Sequence, residues 1–261
     1  MTPPADVRAA ARPSLLRNIA GYAAFIVLLV FFLTATLVVP PQRILRPVKA
    51  VLRFIFRTGG LRVHVIGAEH LDPDRAYLYM SNHVTVADHL IALAYLPGYL
   101  IGLEKVETLK VPVYGWATRR WGQVHIDRAN PDSAIESCRV IEKRLAAGES
   151  LLLYPEGTRS LDGHLKPFKK GVFHIAVDTH ATIVPISLKG LHQLIPPGHL
   201  LLAPGDVELR IGEPFVAPEP GPDAVARLSQ QVRAALLAAL GEELPADDVT
   251  HGGLTLTPHQ H

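Results

Sequence analysis

The sequence predicts an α/β fold: a layered, mostly parallel sheet flanked by helices, preceded by an N-terminal membrane helix and an amphipathic helix. Three observations carry this. Short apolar runs at 61–67, 76–80, 99–103, 122–126, 150–154, 183–188 and 207–211 alternate with helical patterns. Two of those helical patterns carry their own start or stop signals. A charge-free stretch runs from Ile19 to Val39.

Residues 1–58 read as a membrane-anchoring region. As a helix, Ile19 to Val39 is long enough to cross a hydrocarbon core of about 30 Å. A cleaved signal peptide would have a shorter apolar stretch, about 7–15 residues, and a small-residue site after it. Pro40-Pro41 follows, then a helix from Gln42 to Phe56. Arg46, Lys49, Arg53 and Arg57 recur on one helical stripe, with Ile44, Val48, Val51, Leu52 and Ile55 largely opposite. Such a helix suits an anionic membrane surface, and it also suits packing on a domain with its arginines reaching out to water. Basic residues are denser after the apolar run (Arg43, Arg46, Lys49, Arg53, Arg57) than before it (Arg8, Arg12, Arg17). That bias favours a globular domain on the cytoplasmic side of an inner (cytoplasmic) membrane. The proline pair also permits a re-entrant hairpin, so crossing the bilayer and dipping into one leaflet are both open.

Residues 59–241 form the globular domain. Its helix at 133–147 opens on the capping box Ser133-Ala-Ile-Glu136 and stops before Gly148. The helix at 223–240 lines up Val225, Leu228, Val232, Leu236 and Leu240, with Gly241 after it. Residues 242–261, with Asp247, Asp248, Gly252, Gly253 and Pro258, read as a flexible tail whose histidines are too sparse for a metal site. There is no internal repeat. Cys138 is the only cysteine, which excludes an intrachain disulfide and fits a reducing compartment. It falls on the apolar face of the 133–147 helix beside Ile141 and Leu145, as a buried structural thiol does. The net charge of +2 argues against a nucleic-acid binder.

Chemistry gathers in short segments at strand ends. Asn82-His83-x4-Asp88 follows Ala76–Met80, Asp127-Arg128 follows Gln123–Ile126, and Tyr154-Pro155-Glu156-Gly157-Thr158-Arg159-Ser160 follows Leu151–Leu153. Ligands of an open parallel sheet bind at the carboxyl ends of its strands. His83 is the candidate base. A regular helix through His83 and Asp88 would set them about 140° apart. His83 is therefore expected on the turn, with Asp88 in the first helical turn facing back to Nδ1. A zinc site from His83, Asp88 and His89 lacks an evident fourth ligand. The Glu156-Gly157-Thr158-Arg159 turn offers close-approaching backbone N–H groups and a guanidinium for an anion. Arg128 can reach the same rim, and Glu156 is expected to orient an Arg, a Lys or an acceptor hydroxyl. Lys105, Lys169 and Lys170 are further cations. Ile183-Val184-Pro185-Ile186 carries no reactive atom and reads as a channel wall or a buried strand.

In this order and spacing, these segments resemble the 1-acylglycerol-3-phosphate O-acyltransferases, over residues 60–215. Thr85 stands where that family usually has Ser, Thr108 ends a segment that usually reads Lys-x-Glu-Leu, and Tyr154 replaces a common Phe. The resemblance implies a membrane-bound enzyme of phospholipid synthesis with His83 and Asp88 as catalytic pair. It also implies a substrate site of Arg128, Glu156, Gly157, Thr158 and Arg159, with the lysophospholipid phosphate on Arg128 and Arg159. Acyl-CoA or acyl-carrier protein would be co-substrate, with no cofactor. Another lyso-lipid acceptor, such as a lyso-ornithine lipid or a larger-headed lysophospholipid, shares the same core. A non-catalytic lipid-binding protein would be expected to lose His83 or Asp88. A hydrolase would need a Gly-x-Ser-x-Gly elbow, which the sequence lacks.

Overall fold

The structure, a computed structural model, describes residues 12–127, 130–196, 199 and 201–243, and of residues 131–135 the backbone only. Arg128 and nearly all of the tail lie outside the described residues.

Eight strands form one sheet: β1 (Leu61–Ile66), β2 (Leu78–Ser81), β3 (Tyr99–Lys105), β4 (Val124–Ile126), β5 (Glu149–Leu153), β6 (Thr182–Lys189), β7 (Gly205–Ile211) and β8 (Phe215–Val216). The order is β1-β7-β6-β2-β5-β3-β4, with β8 pairing β6. From β6 to β4 every neighbour is parallel. β7 runs antiparallel to β6, and β1 runs parallel to β7. Every residue of the central strands β2 and β5 is buried. That is why those strands read as continuous apolar runs rather than alternating ones. This reversal puts the starts of β1 and β7 on the same rim as the carboxyl ends of β2, β3, β5 and β6.

The helices are α1 (Leu15–Ala35), α2 (Leu45–Thr58), α3 (Asp88–Tyr95), α4 (Tyr114–Trp121), α5 (Pro131–Ala146), α6 (Gly171–Asp178), α7 (Leu191–Leu194) and α8 (Ala224–Leu240). α5 starts at Pro131, so Ser133 falls inside the first turn instead of at the cap. Proline at the first helical position has its φ preset and lacks an N–H that would go unpaired there. Gly148, at φ +79, closes the helix with its N–H on the Leu145 carbonyl. α8 buries Leu228, Val232, Leu236 and Leu240 as expected. Cys138 is half-buried against the core, and burial pushes its thiol pKa up.

The apolar helix is shifted toward the N-terminus relative to the apolar run. It stops at Ala35, where the Thr36 hydroxyl and N–H both turn back to the Phe32 carbonyl. The chain turns before Pro40-Pro41 and a single 3-10 turn at Pro41–Ile44. The basic stripe of α2 divides. Lys49 Nζ donates to the carbonyls of Leu96 (2.6 Å) and Gly98 (2.8 Å), and Arg53 Nε donates to Ala94 (2.7 Å). The last carbonyls of α3 have no partner within their own helix, and these cations supply one. Arg46 and Arg57 remain exposed.

Both ends of α1 are tied to the globular domain. Asn18, which is buried, donates to the Leu202 carbonyl (3.0 Å) and accepts from the Leu202 N–H (2.8 Å). At the other end the ring of Phe32 packs 5.6 Å from that of Trp121, and Arg120 donates to the Thr36 carbonyl. The outward side is apolar: Leu16, Ile26 and Val27 are 80%, 59% and 68% exposed.

Candidate active site

His83 lies on the turn between β2 and α3. Its Nδ1 is 2.7 Å from Asp88 Oδ2. Asp88 is the first residue of α3 and wholly buried. The same Oδ2 accepts the backbone N–H groups of Val84 (2.7 Å) and Thr85 (3.0 Å). The turn shapes itself for this, because Thr85 Oγ1 accepts the N–H of Ala87 and brings the chain into α3. A carboxylate at a helix start is also favoured by the helix dipole. The result is an imidazole with Nδ1 engaged, leaving Nε2 for chemistry. The side chain of His83 is 21% exposed.

Three neighbours hold His83 in place. Glu156 Oε1 accepts its N–H (2.7 Å), and its carbonyl accepts the N–H of Ser160 (2.7 Å). The ring of Tyr154, at the end of β5, stacks on the imidazole at 3.9 Å and 16°. Burial, with Asp88, Glu104 and Tyr114 adding to it, drives the Tyr154 phenol pKa well above its ordinary value, so the ring stays neutral. Asn82 ties the turn to β6 through Leu188, donating to its carbonyl (3.0 Å) and accepting its N–H (2.8 Å). His89 is no rival base: burial, then the charge of nearby His83, pushes its imidazole down to about 4.

Glu156 is buried, and its second oxygen accepts the N–H of Lys166 (3.1 Å). Its two described bonds thus go to backbone groups on either side of the Gly-Thr-Arg turn. Burial raises its pKa, against the pull of those N–H groups. Gly157 takes φ +71, which suits glycine, and its N–H closes the turn on the Tyr154 carbonyl. Thr158 and Arg159 are exposed on that turn, next to the Ser160 that binds His83. Among the described residues no carboxylate pairs with Arg159. The structure therefore brings together His83, Asp88, Glu156, Gly157, Thr158 and Arg159, while the predicted Arg128 lies outside the described residues.

Sequence reasoning missed the roles of Tyr154 and Asn82 in fixing His83. The aromatic residue directly before Pro155-Glu156, at a strand end, was the available signal for Tyr154.

A partly exposed imidazole backed by a buried carboxylate, on a turn adjoining an exposed guanidinium, suits proton transfer on an anionic substrate. Residues 62–189 match the Acyltransferase family. The 1-acyl-sn-glycerol-3-phosphate acyltransferase alpha of Homo sapiens is 31% identical over 202 residues, covering 77% of this chain and 70% of the relative. The Ovis aries protein of the same name is also 31% identical, with 77% and 69% covered. The solved structure of the 1-acyl-sn-glycerophosphate (LPA) acyltransferase PlsC from Thermotoga maritima superposes with a TM-score of 0.72. It is 26% identical, over 86% of this chain and 93% of that one. The chain belongs to this acyltransferase family and is an O-acyltransferase.

Proposed function

We propose that the enzyme moves an acyl chain from acyl-CoA or acyl-carrier protein to the free hydroxyl of 1-acylglycerol-3-phosphate, giving phosphatidic acid. The observation that carries this reading is the His83–Asp88 pair with Arg159 on the adjoining turn. A lipid hydroxyl is a weak nucleophile until its proton is removed. His83 Nε2 takes that proton as the oxygen attacks the thioester carbonyl. Asp88 holds the tautomer and stabilises the imidazolium. The tetrahedral intermediate breaks its C–S bond, and the thiolate leaves with the proton from His83. The enzyme returns to its starting state with no covalent intermediate and no cofactor. Arg159, with Arg128, receives the phosphate; Gly157, whose own N–H closes the turn, lets the backbone at Thr158 approach it closely. Glu156 acts from behind, fixing the backbone of His83 and of Lys166. A lyso-ornithine lipid or larger-headed lysophospholipid is the alternative acceptor.

The acceptor enters from a membrane. Exposed apolar side chains follow the strand ends, Val86 (67%), Val111 (51%) and Leu161 (75%) on loops and Trp116 (42%) on α4. They follow β2, β3 and β5, so they ring the strand ends where ligands bind. α1 is apolar and long enough to cross a bilayer. Its attachments at Asn18 and Phe32 favour immersion along one leaflet, because a crossing helix would carry the Leu202 loop or Trp121 into the hydrocarbon. Exposed Arg46 and Arg57 on α2 suit an anionic cytoplasmic leaflet, so the domain is read as facing the cytoplasm.

The test is turnover of the purified full chain in detergent, with a panel of lyso-lipid acceptors and both thioester donors. His83→Ala should lower turnover by about 10²–10⁴-fold with donor binding intact. More than a tenth of wild-type turnover in that variant would remove the base from His83. A preference for lyso-ornithine lipid over 1-acylglycerol-3-phosphate would establish the alternative acceptor.

A further inference from the structure

A second concentration of positive charge lies where α1 meets the start of β1. Arg17 of α1, Arg57 at the end of α2 and Arg62 on β1 surround a hollow of about 380 Å3, floored by Thr58, Gly60 and Pro204. Arg62 is fixed by a two-pronged pair with Asp206 (2.8 and 2.6 Å), an oxygen of which also meets His64 Nε2 at 2.8 Å. Arg17 and Arg57 have no carboxylate partner among the described residues. Two unneutralised guanidiniums around one hollow repel each other unless an anion sits between them. The backbone at Arg17 is anchored beside the hollow. The residue precedes Asn18, which is locked to Leu202, and its Nη1 lies 3.5 Å from where a Cβ on Gly60 would stand.

Position narrows the anion. Leu15, Leu16 and Ile19 flank Arg17 and are 64%, 80% and 56% exposed, so the hollow opens beside the apolar face of α1. The start of β1 shares the catalytic rim, three strand spacings from β2, or about 14 Å. It is thus separate from the site at His83. Guanidinium forks match phosphate oxygens two at a time. We propose that Arg17 and Arg57, beside the Arg62 that Asp206 holds in place, form a receptor for the phosphate of an anionic phospholipid headgroup, at the corner where the membrane helix meets the catalytic rim. This rests on the membrane reading given above.

The full chain in non-ionic detergent, titrated with phosphatidylglycerol in mixed micelles, tests it through the unfolding temperature. Wild type should gain about 5 °C saturably, because ligand binding stabilises the native state. Phosphatidylcholine should give no such gain. Arg17→Gln/Arg57→Gln should abolish the gain, while Arg43→Gln/Arg46→Gln and Arg159→Ala keep it. Arg17→Lys/Arg57→Lys, which preserves charge and needs no loss of fold, should keep less than half. A full gain in the Gln pair or the Lys pair would overturn the site. Equal loss in Arg43→Gln/Arg46→Gln would replace it with a diffuse field. The same gain from inorganic phosphate alone would overturn the lipid assignment. Failure of the wild type to float with neutral phosphatidylcholine vesicles would refute the membrane reading separately.

Discussion

The ring of Tyr154 lies flat against the imidazole of His83, 3.9 Å away and 16° from parallel. Asp88 fixes which nitrogen of His83 is engaged, but one hydrogen bond leaves the ring free to tilt about it. The stacked phenol removes that freedom. The Tyr154 hydroxyl itself is buried with no hydrogen-bond partner among the described residues.

Tyr154→Phe should therefore keep turnover within about twofold, with stability unchanged or slightly higher, since it deletes only an unpaired buried hydroxyl. Tyr154→Leu removes the flat surface, worth about 0.5–1.5 kcal/mol in aromatic pairs, and should lower kcat about 2–10-fold. KM for both substrates should stay within twofold. Steady-state kinetics of the pair decides it: a fall in Tyr154→Phe equal to that in Tyr154→Leu would move the role from the ring to the hydroxyl.

Arg159 is exposed on a turn where Glu156 and Ser160 hold the backbone of His83. Arg159→Ala should raise the KM for the phosphate-bearing acceptor about 10–100-fold, the equivalent of a charge-assisted bond of about 1.5–3 kcal/mol. Arg159→Lys should recover part of this, because the charge returns without the fork. Wild-type acceptor dependence in both variants would place the phosphate elsewhere.

For α1 the expected topology is one-sided. Single cysteines placed at Ser14 and Leu37, in a Cys138→Ser background, should both react with a membrane-impermeant maleimide added from the side of the catalytic domain. Labelling of the two ends from opposite sides of sealed vesicles would show a crossing helix.

Lys49 links stability to pH. Burial, then the charge of Arg53, lowers its pKa from 10.5 to about 8. Between those values the unfolded chain holds a proton that the folded one has released, so stability rises with pH across that window. Below about pH 8 both states are protonated and this contribution is flat. Unfolding of the wild type followed from pH 8 to 10 should show the rise relative to Lys49→Met. Parallel curves would mean that Lys49 stays charged at the end of α3.

Much of the sheet could be read from the sequence because β2, β5 and β6 are buried on both faces, so their apolar runs are unbroken. The turn placing Asp88 against His83 was also legible, since a five-residue spacing fits a turn followed by a first helical turn and nothing regular. Other features needed three dimensions. Helical periodicity showed the stripe of Arg46, Lys49, Arg53 and Arg57, but not that the end of α3 lies beneath half of it. Glu156 was expected to face a side chain or substrate, yet its described bonds go to the backbone of His83 and Lys166, which no spacing rule reveals. α4 and α6 escaped notice because each spans only 8 residues, too few turns for a clear period. Tyr154 could be assigned to a strand end, but not to the face of the residue it would meet.

The latch between Asn18 and Leu202 joins residues 184 positions apart. The two ends of that bond leave the ribosome at very different times. At about 5–20 residues per second, roughly 10–40 s separate them. Throughout that interval α1 is finished while the loop that will hold it does not exist. If lipid shelters its apolar faces meanwhile, as the proposed membrane reading implies, the domain folds onto a helix already lodged there. On the membrane reading proposed above, α1 meets lipid before the loop that latches it has been made, and the latch closes only once the domain has folded.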